Sequence, residues 1–294
     1  MTAPPAPTPT LPTAPLLSTP TVVRERHLAP PALALSPASV AARWDAVVLL
    51  GHGSLAAESG VAMFRLAEEL RERGVAPMVT AGFLNLSEPT IDQSVARCVD
   101  AGARRLLVVP YFLIAGKYVR EDVPAVLQRI RDRYAAVDLA ATGHLGDHAQ
   151  LAWLALDRAE ACVGRRLRTD DAVVLLAHGS PYNDANEDIE RAAARLRCRD
   201  IATTVGYMEL NRPTIADAVA GALAAGSATV VAVPFFLHLG RHVKHDLPGL
   251  MGGIQRRYPE RRVLLSAHLG YDASLTTVVQ DRVLAHVSAC VSTR

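Results

Sequence analysis

The chain has 294 residues, a formal net charge of +2 and 20% charged residues, which excludes the strongly basic face of a nucleic-acid binder and the charge excess of a disordered protein. Half of the residues are hydrophobic but only 5% are aromatic, a composition that suits the buried strands of helix-covered parallel sheets. No apolar run approaches the ~18 residues that would read as a membrane span, and Cys98, Cys162, Cys198 and Cys290 lie apart without any C-x-x-C, as small buried hydrophobes of a reducing compartment do.

Residues 1–43 stand apart. Ten of the 19 prolines fall between Pro4 and Pro37, mixed with Ala, Thr and Ser. Such a segment buries too little apolar surface to offset its ordering entropy and reads as a disordered tail. It has no charged region followed by an apolar one, so it is not a secretory signal, and a cytoplasmic location is expected. The scarcity of acids beside Arg24, Arg26 and Arg43 leaves an organelle transit peptide open.

From there the chain is written twice. Val48-Leu49-Leu50-Gly51-His52-Gly53-Ser54 returns as Val174-Leu175-Leu176-Ala177-His178-Gly179-Ser180, at an offset of 126 residues. Gly82-Phe83-Leu84-Asn85-Leu86-Ser87-Glu88-Pro89-Thr90-Ile91 returns as Gly206-Tyr207-Met208-Glu209-Leu210-Asn211-Arg212-Pro213-Thr214-Ile215, now at 124. Pro110-Tyr111-Phe112-Leu113 returns as Pro234-Phe235-Phe236-Leu237, and His144-Leu145-Gly146 as His268-Leu269-Gly270. A period this long marks a duplicated domain, repeat 1 over 44–168 and repeat 2 over 169–294.

Within each copy short β-branched runs alternate with amphipathic stretches. Repeat 1 predicts strands near Ala46, Met78, Arg105 and Val137. Repeat 2 predicts them at Ala172–Ala177, Ile201–Met208, Thr229–Phe236 and Arg262–Ala267, with helices from Ala185, Thr214, Val243 and Tyr271. The expected fold class is α/β: two tandem (βα)4 domains, each a parallel sheet with helices on both faces.

The segment Pro234 to Pro248 carries three histidines where a strand passes through a loop into a helix. His238 and His245 read as solvated loop residues. His178, Glu209 and His242 each fall at or just beyond the carboxyl end of a strand, and in a parallel sheet those ends share one edge, where ligands bind. Two imidazoles and a carboxylate suit a divalent first-row metal with coordination positions left open for a substrate. In repeat 1 the matching residues are His52, Asn85 and Tyr118, so that copy keeps one group of three. His52 reads equally as a relic, a turn residue or a contributor from across a cleft. Ser54 and Ser180 are not nucleophile elbows, because G-x-S-x-G is absent, and there is no phosphate loop.

The run of apolar strand plus His-Gly-Ser, then Glu-Leu-x-x-Pro-Thr-Ile, then Pro-x-Phe-Leu-x-x-Gly-x-His-Val-x-x-Asp-x-Pro resembles the sirohydrochlorin chelatases, class II ATP-independent tetrapyrrole chelatases, over about residues 46–290. The resemblance implies a lyase that inserts Fe²⁺ or Co²⁺ into sirohydrochlorin or a related polycarboxylate tetrapyrrole in sirohaem or cobalamin biosynthesis. Ni²⁺ suits the same donors, and no further cofactor is implied. It implies that His178, Glu209 and His242 hold the metal and assist its transfer. Many two-repeat members carry the intact set in the first copy, whereas here it lies in the second, closer to the protohaem ferrochelatases. Ser180, Arg212, Arg241, Lys244 and His52 are the candidate substrate contacts, and Lys117 and Arg120 would face the site if the copies pack edge to edge. The expected partners are the tetrapyrrole and the metal ion, without nucleic acid or membrane, on a monomer with an internal pseudo-dimer. The competing reading is a non-catalytic metal or tetrapyrrole carrier, which needs the histidines but no base at Glu209. A scaffold with two vestigial sites is disfavoured by the intact triad.

Overall fold

The computed structural model describes residues 43–53 and 58–292. The tail expected over residues 1–43 therefore lies, apart from Arg43, outside the described residues. Repeat 1 runs β1 (Ala46–Gly51), α1 (Glu58–Glu72), β2 (Met78–Phe83), α2 (Ile91–Asp100), β3 (Arg105–Pro110), α3 (Val123–Arg133), β4 (Asp138–Ala141) and α4 (Ala149–Val163). Repeat 2 runs β5 (Asp171–Ala177), α5 (Glu187–Arg197), β6 (Ala202–Tyr207), α6 (Ile215–Ala224), β7 (Thr229–Pro234), α7 (Leu247–Arg257), β8 (Arg262–Leu265) and α8 (Ala273–Ser292). The expected α/β class holds: two four-stranded sheets, entirely parallel, ordered β2-β1-β3-β4 and β6-β5-β7-β8.

The local causes are visible. Every residue of β1 and β7 is buried, so both strands are apolar throughout. β7 ends at Pro234, two residues short of the expected Phe236, with one further backbone bond from Phe235 N–H to Leu176 at 2.9 Å. Capping boxes start α2 at Thr90 with Gln93 and α6 at Thr214 with Asp217, which satisfies otherwise orphaned N–H groups. Before α3 and α7 the chain makes one widened π-type turn each, Tyr118–Asp122 and His242–Asp246.

Alternation along the strands makes three cores. Ala46, Val48 and Leu50 pack with α2 and α3 on the outer face of the first sheet, and Ala172, Val174 and Leu176 pack with α6 and α7 on the second. Val47 and Leu49 from one sheet and Val173 and Leu175 from the other share a common central core. The closing helices trade places there. Helix α4 packs on β7, β8 and α5 of repeat 2, while α8 packs on α1 and β3 of repeat 1. The boundary near residue 168 thus divides the sequence but not the central core.

The exchange is latched symmetrically. Arg158 on α4 donates to the carbonyl of Leu269 at 2.8 Å, and Arg282 on α8 donates to that of Leu145 at 2.5 Å. These are the same pair of positions in the two copies. Tyr271 and Thr276 add hydrogen bonds to Glu69 on α1. Leu275, Val278, Val279, Val283 and Val287 of α8 are buried, each worth ~1.5–3 kcal/mol relative to exposure, so neither sheet is covered without the other repeat's last helix. Among the described residues no helix is long and apolar enough to cross a membrane.

Candidate active site

Where strand order reverses in a parallel sheet, helices leave in opposite directions and open a crevice at the carboxyl ends. In repeat 2 that point lies between β5 and β7. His178 follows β5 directly, and His242 opens the widened turn that leads from the β7 loop into α7. The structure brings the two together: their ring centroids are 5.0 Å apart, edge to face at 70°. His242 Nδ1 lies 2.8 Å from Asp246 Oδ2. An ionised carboxylate only accepts, so Nδ1 carries the proton and Nε2 of the neutral ring keeps its lone pair for a ligand.

Glu209 stands on the neighbouring loop. Its N–H donates to the carbonyl of His178 at 3.1 Å, and Met208 N–H donates to Ala177 at 2.9 Å, so the loops after β5 and β6 are joined by their backbones. Gly179 has φ +97°, and a Cβ there would collide with the carbonyl oxygen of Glu209, so only glycine fits. The Glu209 side chain is exposed and borders a hollow of about 300 Å³, lined with Met208, Leu210, Asn211, Arg212 and Thr214. Its backbone is tied to His178, while its carboxylate does not close on the imidazoles. Among the described residues no three His, Cys, Asp or Glu side chains are gathered tightly enough to enclose an ion.

Repeat 1 keeps the same backbone frame. Asn85 N–H donates to His52 at 3.1 Å, and Gly53 has φ +92° against Asn85. Two of its three candidate ligands are gone, replaced by Asn85 and Tyr118. His52 Nδ1 donates to its own Gly53 carbonyl at 2.7 Å, and its ring meets Tyr118, which holds the place of His242, at 4.2 Å.

The CbiX family model matches residues 46–162 and again 172–286, covering both repeats. The chain belongs to the CbiX family. A protein named sirohydrochlorin ferrochelatase from Priestia megaterium is 24% identical over 251 residues, 83% of this chain and 91% of that one. A sirohydrochlorin cobaltochelatase from Methanocaldococcus jannaschii is 41% identical over 90 residues, 31% of this chain and 63% of that one. SirB from Bacillus subtilis, solved with Fe³⁺, superposes with a TM-score of 0.74 at 23% identity, over 85% of this chain and 97% of SirB. A second SirB structure, from B. subtilis subspecies spizizenii in complex with cobalt, gives 0.67 at 20% identity, over 83% and 95%.

The flanking candidates of this CbiX chain divide. Arg212, Arg241 and Lys244 are exposed around the histidine loops, and Arg241 makes only a long 3.9 Å approach to Asp246. Ser180 departs from expectation. It is 3% exposed, its hydroxyl accepts from Tyr182 N–H at 3.2 Å and its N–H donates to Asn211 at 2.7 Å, so it shapes the turn instead of facing a ligand. Arg120 does reach repeat 2, but as a strap: it bonds Asp184 at 2.5 Å and lies over the Tyr182 ring at 4.9 Å. Lys117 is exposed. His238, read as a solvated loop residue, instead packs against Tyr111 of repeat 1 with centroids 5.9 Å apart, while His245 is exposed.

Three contributors were not singled out from the sequence. Asp246, four residues beyond His242, was discoverable by its helical spacing. Asn211, which ties the two loops, carries no such signal. Asp188 joins the repeats by accepting from His144 at 2.8 Å and from Ala115 N–H at 3.3 Å. Burial works to raise its pKa, but His144 and Arg191 outweigh it and hold the carboxyl below the usual range.

Proposed function

We propose that this CbiX-family chain is a sirohydrochlorin chelatase whose working site is in repeat 2. The observation that carries the assignment is the His178–His242 pair at the sheet's reversal point, set beside a loop that presents a carboxylate. The reaction exchanges a divalent metal for two pyrrole protons, without ATP. His178 and His242 replace water around Fe²⁺ or Co²⁺, with Ni²⁺ suited to the same donors. Asp246 holds His242 so that Nε2 faces the ion. Glu209 accepts the pyrrole protons as general base, and its exposure lets it pass them to solvent. Arg212, Arg241 and Lys244 engage the substrate's carboxylates, Arg by paired hydrogen bonds. His52 contributes from the other copy, where it borders the ring.

Because the repeats already pair and trade helices, one chain supplies the whole unit, and the protein works as a monomer. No disulfide joins the four cysteines, which accords with a reducing, cytoplasmic setting.

The deciding test is Glu209→Gln under single-turnover, anaerobic conditions, followed by the absorbance change of sirohydrochlorin on metallation. The amide is nearly isosteric but accepts no proton at neutral pH, so turnover should fall by the ~10²–10⁴-fold typical of a lost general base, with ring binding retained. Insertion at the wild-type rate sinks the base assignment. If wild type metallates the ring with none of the three ions, the carrier reading replaces the enzyme.

A further inference from the structure

The strand-end edge of repeat 1 has not simply lost its donors. Repeat 2 carries Glu187, Glu190, Glu209 and His242 where repeat 1 carries Val61, Phe64, Asn85 and Tyr118. The buried partners confirm that alignment, with Met63 matching Ile189 and Leu70 matching Leu196. Three of the four exchanges turn an acid or an imidazole into an apolar or aromatic group. Those groups did not retreat inward. Val61, Phe64 and Tyr118 are 63%, 38% and 40% exposed, three of the six large hydrophobic residues exposed among those described, and Leu86, a leucine in both copies, is 54% exposed as Leu210 is 67%. Exposed apolar groups that concentrate at one edge mark a contact surface.

The same strand-end edge carries an ordered aromatic panel. Tyr118 lies nearly parallel to Phe112, 18° and 5.9 Å between centroids, and takes the edge of His52 at 4.2 Å. Burial, and secondarily the charge of Asp122, push the Tyr118 phenol upward, so it stays neutral. Lys117, beside it, is exposed. The panel's loop is pinned to the segment of repeat 2 that begins at Ser180, just after His178. Ala115 bonds Asp188, Arg120 bonds Asp184, Glu121 accepts from Tyr182, and a Cβ on Gly116 would stand 3.9 Å from Ser180 Oγ. An aromatic surface with a cation at its rim, fixed beside a metal-handling pair, matches a flat macrocycle with an apolar face and an anionic periphery.

We propose that the Tyr118–Phe112–His52 panel of repeat 1 is a binding seat for the tetrapyrrole ring, so that one copy holds the macrocycle while the other supplies the metal. This rests on the chelatase reading and assigns the second repeat's counterpart a substrate role in place of a vestigial one.

The experiment titrates metal-free sirohydrochlorin by fluorescence quenching into wild type, Tyr118→Phe, Tyr118→Leu and Tyr118→Ala, with Co²⁺ affinity measured separately by absorbance. Loss of aromatic contact should raise the ring Kd by ~3–10-fold in the Ala and Leu variants, while Phe restores affinity to within about twofold. Co²⁺ affinity and circular dichroism should match wild type in all four proteins. Wild-type ring affinity in Tyr118→Ala overturns the seat, as does a Leu variant that binds like Phe, since apolar cover alone would then suffice. A fall in Co²⁺ affinity also overturns it, because Tyr118 would then act on the metal. These results are separable from failure of the chelatase reading, which shows as a wild type that metallates no ring.

Discussion

The two repeats are a controlled comparison built into one chain. Both keep the strand order, the left-handed glycine after the first histidine and the backbone bond from position 85 or 209 to that histidine. They differ in the side chains that this frame presents: imidazole against phenol at 242 and 118, carboxylate against amide at 209 and 85. The frame is therefore a matter of sterics and backbone hydrogen bonds, and it survives loss of the donors. The proposed chemistry rests on side chains that contribute little to folding, since Glu209 is exposed and His242 is only partly covered. A fold that separates the two in this way can change the task of one copy without unfolding either.

Removing an imidazole from each copy breaks the comparison most sharply. His178→Ala or His242→Ala should abolish metal insertion, because each removes one of the two imidazoles proposed to hold the ion. Their melting temperatures should stay near wild type, since neither ring lies in the core. Metallation followed by absorbance is the readout, with His52→Ala as the matched change in repeat 1. As part of the proposed ring seat, His52 should affect ring binding and not Co²⁺ binding; if His52→Ala removes Co²⁺ binding as His178→Ala does, the working copy has been assigned to the wrong half.

Much of this was legible in advance, for reasons that differ by residue. Runs such as Val47 to Leu50 and Val230 to Val233 are apolar because both faces of a parallel strand are covered, so the strands could be read directly. His178 and His242 could be placed because strand ends in a parallel sheet share one edge. The exchange of α4 and α8 could not be read, since periodicity reveals that a helix has an apolar face but not which sheet receives it. Ser180 misled because a hydroxyl two residues after a candidate ligand looks available; its burial comes from Tyr182, Asn186 and Asn211, whose positions depend on the folded loops. Asp246 lay inside the motif, but its bond to His242 exists only once the widened turn has formed.

A second contrast lies at His268 and its counterpart His144. His144 faces the carboxylate of Asp188 across the repeats, whereas His268 is partly buried with Arg158 and His238 nearby. Burial first, then the charges of Arg158 and His238, push His268 down to about 4. In the unfolded chain the imidazole titrates near its ordinary ~6.5. Between those values the unfolded state binds a proton that the folded state refuses, so stability is fully present above ~6.5 and is lost as pH falls toward 4. At ~1.4 kcal/mol per pH unit the loss approaches about 3 kcal/mol. Urea unfolding at neutral and acidic pH should show this slope in wild type and a flatter one in His268→Gln. An equally steep slope in the variant would place the acid sensitivity elsewhere.

The smallest expected effect separates orientation from ligation, and it sets Asp246 against Asp122. Both occupy the last position of the widened turn, and both precede the proline that opens a helix. Only Asp246 has an imidazole to hold, since position 118 is a tyrosine. If the carboxylate serves merely to build the turn, neutralising either aspartate should act alike, through stability alone. If it fixes the proton on Nδ1 and raises the basicity of Nε2, then Asp246→Asn keeps an acceptor for Nδ1 but loses the charge. Outer partners of this kind typically contribute ~10–100-fold in metal affinity. Asp246→Asn should therefore weaken Co²⁺ binding by roughly 10–30-fold, toward the lower part of that range because the amide still orients the ring, and Asp246→Ala should go further. Asp122→Asn should leave Co²⁺ binding where it was, because nothing it touches ligates the ion. Nitrogen-15 shifts of His242 supply the readout that a purely structural role would not move: Nδ1–H in wild type, and a mixture of tautomers in Asp246→Ala. Equal losses from the Asp246 and Asp122 changes would reduce the aspartate to a turn-former and leave His242 oriented by packing alone.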